Sequence, residues 1–243
     1  MRQQRYVLLN FRNSGERAMN RTFASKVIDF YQDLNLDSDL PDGVSVMNPY
    51  KNGEIRTFSE KFFYRYYKDE NPRTFILGIN PGRFGAGVTG ITFTDPVRLE
   101  SGCGIANDLD KRPELSSVFI YDMIDHYGGT GKFYAKFYLS AVCPLGFVKE
   151  GKNLNYYDNK ILERTLRPFI IKSIRDQTEF GCNRKTAICL GEGENFRYLS
   201  RLNSENHFFE TIIPLAHPRF IMQYRLKKKE EYIQTYLDVL NRI

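Results

Sequence analysis

The residue types most suited to chemistry follow a short apolar run at residues 75–79, which predicts a buried strand of a parallel sheet. The run ends at Asn80 and Pro81, since proline cannot donate a hydrogen bond to a neighbouring strand. Four glycines follow within residues 82–90, and a loop so rich in glycine lets a flat ligand approach its main-chain N–H groups. In α/β proteins, functional residues typically lie at the carboxyl end of a central strand, where Asn80 is expected.

The same loop also matches the glycine pattern of dinucleotide-binding proteins, because residues 85–90 read GAGVTG. That fingerprint opens a helix directly after the strand, whereas here residues 80–84 intervene. Residues 91–96 (ITFTDP) do not continue with a helical pattern either. A nucleotide-cofactor enzyme is therefore the weaker interpretation of this loop.

Apolar runs that alternate with helical patterns predict how these residues are positioned. The remaining predicted strands are residues 137–142, 187–191 and 208–215, and the predicted helices are residues 19–35, 58–68, 115–127, 156–177, 195–202 and 226–243. Strands that alternate with helices form crossovers in a parallel sheet. We therefore expect an α/β fold, a three-layer α/β/α sandwich with a central, mainly parallel four-stranded sheet, formed by residues 1–243 as a single domain.

A second candidate functional residue, His217, follows the last predicted strand and precedes Pro218. Because the carboxyl ends of parallel strands meet at one edge of a sheet, we expect His217 and Asn80 to open into one cleft. A group of acidic residues between residues 95 and 110 could supply a catalytic carboxylate pair, but solvation of an irregular loop is the preferred interpretation.

Composition limits the classes of partner and cofactor. The net charge of +6 favours a polyanionic partner. The four cysteines form no C-x-x-C pair and there are only three histidines, so we expect reduced cysteines, no metal site and no cofactor. No apolar run approaches the length of a membrane span, and the first 17 residues contain no cleavage-site pattern. These features predict a cytoplasmic protein without a membrane partner.

The sequence GINPGRFGAGVTGITF at residues 78–93 resembles the first active-site motif of the SMUG-type uracil-DNA glycosylases, the single-strand-selective monofunctional branch of the superfamily. That motif has a G-M-N-P-G-x-F-G core followed by T-G-x-x-F. The motif residues kept here at the same spacing are Gly78, Asn80, Pro81, Gly82, Phe84, Gly85, Thr89, Gly90 and Phe93. The family's C-P-L-x-F segment at residues 143–147 and its histidine–proline step at His217 follow in the same order, so the resemblance extends over residues 44–225.

The resemblance implies a monofunctional DNA glycosylase of base excision repair that hydrolyses the N-glycosidic bond of uracil, with other deaminated bases as further candidate substrates. Such an enzyme flips the damaged nucleotide out of the DNA stack. Asn80 would position the attacking water, and His217 would donate a hydrogen bond to the base carbonyl oxygen as negative charge develops there. The substrate-binding residues implied by the resemblance are Ile79, Gly82, Phe84, Phe93, which would stack on the flipped base, and Ala141.

The residues after His217 are implied to bind DNA, as a wedge into the base stack and as phosphate contacts. They are Arg219, Tyr224, Arg225, Lys227 and Lys228. A solvated start of a helix is the alternative explanation of this basic run. The implied partner is single- or double-stranded DNA that contains a deaminated base, bound by a monomer associated with the nucleoid.

One position departs from the family pattern. Ala141 lies where SMUG-type enzymes have an asparagine that reads the edge of uracil, and alanine has no side-chain hydrogen-bonding group. A site that lacks this group discriminates less, so deaminated purines become candidate substrates. Ser140 is not expected to substitute, since adjacent side chains of a strand point to opposite faces.

The main alternative function is a lesion-binding protein that does not cleave DNA. In such a protein there would be no turnover for a substitution of Asn80 to remove.

Overall fold

The computed structural model describes residues 21–243, which form ten α-helices and seven strands. The helices are α1 (Phe23–Gln32), α2 (Gly53–Tyr66), α3 (Ala86–Thr89), α4 (Pro96–Ser101), α5 (Leu115–Tyr127), α6 (Thr130–Tyr134), α7 (Lys160–Thr178), α8 (Glu194–Asn206), α9 (Pro218–Tyr224) and α10 (Lys229–Leu240). The strands are β1 (Val44–Met47), β2 (Arg73–Gly78), β3 (Phe137–Ala141), β4 (Gly146–Lys149), β5 (Lys152–Leu154), β6 (Cys182–Leu190) and β7 (Thr211–Leu215). The expectation of no secretion signal concerns the N-terminal segment before these residues.

The predicted four-stranded sheet is confirmed, and all of its neighbouring strands are parallel. Its strand order is β3-β2-β6-β7, with Leu77 of β2 opposite Ser140 of β3 and Cys189 of β6. All six residues of β2 are buried. A strand that is covered on both faces is expected to be continuously apolar rather than alternating, which explains the run that ends in the motif.

Helices cover both faces of this sheet, as the three-layer prediction requires. Phe137 and Tyr138 are neighbours on β3 and point to opposite faces. The Phe137 ring lies 5.6 Å from that of Tyr127 on α5, whereas the Tyr138 ring lies 5.2 Å from that of Phe23 on α1. The layered α/β/α architecture is therefore confirmed.

A second, smaller sheet was not predicted. The strands β1, β4 and β5 form an antiparallel sheet in which Phe147 pairs with Val46 on one side and Leu154 on the other. Glu150 and Gly151 join β4 to β5 with φ angles of +50° and +70°, which is typical of a tight hairpin turn. Strands of three or four residues are too short to give a clear alternation, so the sequence could not distinguish this hairpin from a loop.

The prediction that the acidic residues between 95 and 110 are solvated is wrong for the first of them, Asp95. Asp95 is fully buried and is the N-cap of α4. Its carboxylate accepts hydrogen bonds of 2.8 Å from the backbone N–H groups of both Arg98 and Glu114. Asp95 therefore joins the start of α4 to the start of α5, and this structural role accounts for its burial.

Several further boundaries differ from the sequence predictions: β6 begins at Cys182 rather than at residue 187, and α2 begins at Gly53 rather than at residue 58. The last strand begins at Thr211, not at residue 208, and the predicted helix at 226–243 is divided into a 3₁₀ turn (Leu226–Lys228) followed by α10. β7 is an edge strand of the sheet, a position that tolerates its Pro214. No helix in the part of the chain from residue 21 onward is long and apolar enough to span a membrane.

Candidate active site

A cavity of about 600 Å³ opens at the carboxyl edge of the parallel sheet. Its volume suits a single small ligand such as a nucleobase with its sugar. The following residues singled out from the sequence line it: Ile79, Asn80, Gly82, Phe84, Phe93, Ala141, His217, Arg219 and Tyr224. Arg225, Lys227 and Lys228 do not line the cavity but are exposed on the chain that continues from it.

The Asn80 side chain is held by the β5 segment on the neighbouring sheet. Its Oδ1 accepts a 3.1 Å hydrogen bond from the backbone N–H of Tyr156, and its Nδ2 donates to the carbonyl oxygen of Leu154 at 3.3 Å. Each end of an amide can form a second hydrogen bond. Asn80 is thus fixed in orientation and can still accept a hydrogen bond from a water molecule.

A buried asparagine that the sequence did not single out supports this arrangement. Asn195, at the start of α8, donates from Nδ2 to the carbonyl oxygens of Gly78 at 3.4 Å and Leu190 at 3.0 Å. Its Oδ1 accepts a 2.8 Å hydrogen bond from the Tyr156 hydroxyl, and the backbone N–H of Tyr156 in turn binds Asn80. The ends of β2 and β6 and the β5 segment are therefore joined behind the cavity.

Phe93 is positioned by an unusual backbone conformation. Its φ angle is +56°, in the left-handed region that bulky residues rarely occupy, at a cost on the order of 1–3 kcal/mol. Its ring packs over Gly78, where a Cβ atom would lie only 2.7 Å from the ring. The ring centroid lies 6.0 Å from that of His217, so the two motifs meet as predicted.

Buried hydroxyl groups hold the loop around Phe93. Thr89 Oγ1 donates a 2.6 Å hydrogen bond to the carbonyl oxygen of Thr94. Ser117 Oγ donates to the carbonyl oxygen of Phe93 at 2.8 Å and accepts from the backbone N–H of Asp95 at 2.9 Å. These bonds provide the constraint that maintains the strained conformation.

His217 is the N-cap of α9, and this fixes its tautomer. Its Nδ1 accepts a 3.1 Å hydrogen bond from the backbone N–H of Arg219, so in the neutral imidazole the proton resides on Nε2. Burial, with a smaller contribution from the Arg219 cation, lowers the pKa of His217 to about 4. At neutral pH the side chain is therefore an uncharged hydrogen-bond donor through Nε2.

The C-terminal helix anchors the residue before His217. The hydroxyl of Tyr236 on α10, which is almost fully buried, donates to the carbonyl oxygen of Ala216. Because α10 also packs against α5 through Tyr236 and Phe119, the position of His217 depends on the core rather than on a free loop.

The strand that carries Ala141 supplies no side-chain donor to the cavity. Ala141 lines the cavity and is 3% exposed. The Ser140 hydroxyl donates to Oε1 of Gln177 on α7, on the opposite face of the sheet. Both observations agree with the alternation predicted from the sequence.

Glu114 is a cavity residue that sequence reasoning missed. Its carboxylate caps α5 by accepting a 3.2 Å hydrogen bond from the backbone N–H of Ser117. A Cβ atom on Gly85 would lie 3.1 Å from Glu114 Oε2, so the carboxylate packs directly against the motif loop. Burial raises the pKa of Glu114, while hydrogen bonds from Ser116 and Ser117 and the charge of Arg219 oppose that rise. No motif surrounds Glu114, and only the folded chain brings it to the loop.

The surface beside the cavity mouth is both aromatic and basic. Phe220 and Tyr224 are exposed on α9 with ring centroids 5.8 Å apart, and the Arg225 guanidinium lies 5.3 Å from the Phe220 ring. Sequence reasoning included Tyr224 and Arg225 but missed Phe220. Phe220 precedes Tyr224 by four residues on one helix, and this spacing indicates that the two rings lie side by side on the same face.

The glycines of the G-x-G-x-x-G pattern are explained by packing. A Cβ atom on Gly87 would lie 2.5 Å from Met47 Sδ and 2.8 Å from the carbonyl oxygen of Gly82. Gly90 has a φ angle of +72° and ends α3, a helix of only four residues. The geometry of a dinucleotide fingerprint, a long helix directly after the strand, is not present.

The cysteines play no visible part in the cavity. Cys103, Cys143, Cys182 and Cys189 are all unpaired, and burial raises the pKa of the Cys143 thiol to about 12. Across residues 21–243, no group of three or more His, Cys, Asp or Glu side chains is arranged to hold a metal ion.

One cavity at the edge of the sheet thus brings together the Phe93 ring, the neutral imidazole of His217 and the oriented amide of Asn80, beside a basic and aromatic surface. This combination on a parallel α/β sheet defines an enzyme that takes a single base out of a nucleic acid, a DNA glycosylase. Comparisons with known proteins agree. The family model of the Uracil DNA glycosylase superfamily matches residues 64–241. The chain belongs to this superfamily.

The similarity extends to a solved structure, that of wild-type SMUG2 from Pedobacter heparinus. The two chains are 46% identical, the match covers 91% of this chain and 97% of that chain, and the TM-score is 0.89. No curated protein matches. The resemblance to SMUG-type enzymes is therefore confirmed, and neither comparison supports the non-cleaving alternative.

Proposed function

We propose that this uracil-DNA glycosylase is monofunctional, that Asn80 and His217 carry its chemistry, and that its substrates extend beyond uracil to deaminated purines. The observation that carries the proposal is the neutral His217, whose Nε2 proton is available in the cavity that also contains Asn80 and Phe93. A base inside a duplex cannot be reached by an active site, so the nucleotide would first be flipped out.

The flipped base would lie against Phe93. Stacking of a base on an aromatic side chain contributes about 1–3 kcal/mol and tolerates different bases. Ile79, Gly82 and Phe84 would form the remaining contacts, with the backbone N–H groups near Ile79 and Gly82 facing the base edge. The fixed Phe93 ring means that little conformational entropy is lost when the base binds.

Bond cleavage would develop negative charge on the departing base and positive charge on the sugar. His217 would donate from Nε2 to the base carbonyl oxygen, and a donor that is already oriented stabilises this charge without reorganisation. Since its pKa is lowered to about 4, the imidazole would act as a neutral donor rather than as a proton source at neutral pH. Asn80 would orient the water that attacks the sugar carbon as the bond to the base breaks. Since an amide is a poor proton acceptor, the proton of that water would pass to solvent or to the departing base anion.

The breadth of substrate range follows from Ala141. A side-chain amide at this position would reject bases that lack the matching pattern of donors and acceptors, whereas alanine imposes no such requirement. The preceding residue, Ser140, cannot supply the missing hydrogen bond, because its hydroxyl is already bonded to Gln177 on the opposite face of the sheet. We therefore expect hypoxanthine and xanthine to be removed as well as uracil.

DNA would be held by the exposed surface that follows His217. Arg219, Arg225, Lys227 and Lys228 would contact phosphates, and Tyr224 with Phe220 would enter the space left by the flipped nucleotide. Their exposure and the ring spacing on α9 support this assignment. We further propose that the whole chain acts as one domain, without a cofactor, as a monomer on nucleoid DNA in the cytoplasm.

The test uses end-labelled single- and double-stranded oligonucleotides that carry one uracil, hypoxanthine, xanthine or 5-hydroxymethyluracil. Alkali then breaks abasic sites. We expect cleavage at the lesion only after alkali, and its loss in Asn80→Ala and His217→Ala, whereas Ser140→Ala on the opposite face should keep it. Strand cleavage without alkali would contradict a monofunctional enzyme. Full activity in Asn80→Ala or His217→Ala would contradict the assigned site.

A further inference from the structure

The β4–β5 hairpin places a second asparagine beside the reacting centre. Asn153 lies on β5, next to Leu154, whose carbonyl oxygen accepts the hydrogen bond from Asn80. Both Asn153 and the neighbouring Lys152 line the cavity. Since the hairpin and Asn80 are directly bonded, Asn153 has a fixed position relative to the motif.

The orientation of the Asn153 amide is determined by one hydrogen bond. Its Oδ1 accepts from the backbone N–H of Arg83 at 3.2 Å, so the NH₂ end must face away from that loop residue. Nδ2 lies 3.5 Å from the position where a Cβ atom of Gly82, another residue that lines the cavity, would be. Within residues 21–243, no protein acceptor takes a hydrogen bond from this Nδ2. A residue that lines the cavity therefore has two N–H donors of fixed orientation that are free to bind a ligand.

The charges around these donors indicate what they bind. Arg83 and Lys152 border the cavity on the same side, and the Arg83 guanidinium donates to the carbonyl oxygen of Gly151 in the hairpin turn. Cations close to an NH₂ group favour the binding of an acceptor oxygen that carries negative charge. A damaged nucleotide offers such oxygens on its base carbonyls and on its flanking phosphates.

We propose that Asn153 is a substrate-contacting residue whose side-chain NH₂ donates a hydrogen bond to an oxygen of the flipped nucleotide. The hairpin is then a wall of the substrate cleft opposite α9. This inference rests on the proposed glycosylase site. It also identifies a side-chain donor from another strand in a cavity where Ala141 supplies none.

The decisive variant is Asn153→Asp. It keeps an oxygen that accepts from the Arg83 N–H, but it replaces the donor with a negative charge. We expect kcat/KM on a uracil oligonucleotide to fall about 10- to 100-fold, the usual effect of losing a hydrogen bond to a charged group. For Asn153→Ala, kcat/KM should fall about tenfold, since this variant removes the donor without adding a charge. Thermal unfolding of both variants verifies that they are folded.

The matched control is Asn71→Asp, the same chemical change at an exposed residue before β2, at the opposite edge of the sheet. It should retain wild-type kcat/KM. Wild-type kcat/KM in Asn153→Asp, while His217→Ala shows its large loss, would overturn this inference and leave the proposed function intact. Inactivity of the wild type on every deaminated base would instead overturn the proposed function.

A methylphosphonate beside the lesion identifies which oxygen is bound. If Asn153 binds a phosphate, the difference between wild type and Asn153→Asp should shrink on this neutral linkage and should be similar for all bases. If it binds a base carbonyl, the difference should persist on the methylphosphonate and should vary between uracil and hypoxanthine. Either result supports the proposed contact. An equal loss in Asn71→Asp would contradict it.

Discussion

Two regions surround the same cavity and are built in opposite ways. The motif wall, which consists of residues 78–93 except Arg83, together with His217, is held by buried hydrogen bonds to Ser117, Asn195 and Tyr236. The exposed rim consists of Arg83, Lys152, Arg219, Phe220 and Tyr224 and continues along the chain to Lys227, and its charged and aromatic groups are at the surface.

The difference separates chemistry from binding. Groups that stabilise a developing charge are most effective when they are oriented before the substrate arrives, which requires a rigid and enclosed wall. Groups that find DNA by electrostatic attraction act over a distance and must remain hydrated until contact. We therefore expect substitutions in the motif wall to change kcat and those in the exposed rim to change the dependence on salt.

The largest effect is expected for His217→Ala. Loss of one oriented donor to a developing oxyanion typically lowers kcat by ~10²–10³-fold. Single-turnover cleavage of a uracil oligonucleotide measures the chemical step directly. Binding of the same oligonucleotide, measured by fluorescence anisotropy, should be little changed. A comparable loss of affinity would contradict the claim that the motif wall acts on the chemical step and the rim on binding.

The pH dependence of kcat sharpens this prediction. Because burial and Arg219 lower the pKa of His217 to about 4, the imidazole stays neutral as the pH falls from 8 to 5.5 and is protonated only near pH 4. Single-turnover rates should therefore show no inflection near pH 6.5, the usual pKa of histidine. An NMR titration of His217 that gave a pKa of 6 or higher would contradict the neutral-donor mechanism.

Phe93→Ala should have the next largest effect. Removal of a stacking ring that contributes about 1–3 kcal/mol corresponds to a loss of about 5- to 150-fold in kcat/KM. The loss should be similar for uracil and hypoxanthine, because every base presents a π face. A loss confined to one base would show that Phe93 reads the base edge rather than stacks on it.

A pair of buried serines tests whether the wall must be rigid. Ser117→Ala leaves the carbonyl of Phe93 and the N–H of Asp95 without their partner, and Ser140→Ala removes a bond to Gln177 on the other side of the sheet. Each loss should lower the free energy of unfolding by about 1–3 kcal/mol. Only Ser117→Ala should also reduce kcat, by a few-fold. Equal activity of the two variants in denaturant-matched assays would show that the Phe93 loop needs no such support.

The sequence predicted the motif wall more fully than the rim. Asn80, Phe93 and His217 stand in motifs with fixed spacing, and a central buried strand gives an unambiguous apolar run, so both the site and the sheet could be predicted. The interest of Ala141 came from the resemblance to the family pattern, and alternation along β3 predicted that Ser140 points to the opposite face. These features depend on local sequence.

The rest depends on tertiary placement. Glu114 and Asn153 come from separate segments and reach the cavity only through the packing of α5 and the β4–β5 hairpin. Asn195 likewise reaches the carbonyl oxygen of Gly78 only through the packing of α8. Asp95 was interpreted as solvated because its buried role requires the N–H group of Glu114, 19 residues away. In the small sheet, β1 pairs with β4 across 103 residues, as Ser45 with Val148, which no local pattern reveals.

The smallest effect supplies the most direct test of the separation between the two regions. We would measure kcat/KM on a uracil oligonucleotide over a series of salt concentrations for the wild type, His217→Ala and Lys227→Ala. Loss of one phosphate contact reduces the slope of log kcat/KM against log salt by about one, and the effect is lost at high salt. We predict a flatter line for Lys227→Ala that converges with the wild type, and for His217→Ala a line parallel to the wild type but ~10²–10³-fold lower. A flatter line for His217→Ala, or a large parallel loss for Lys227→Ala, would contradict the assignment of chemistry to the motif wall and of DNA binding to the exposed surface.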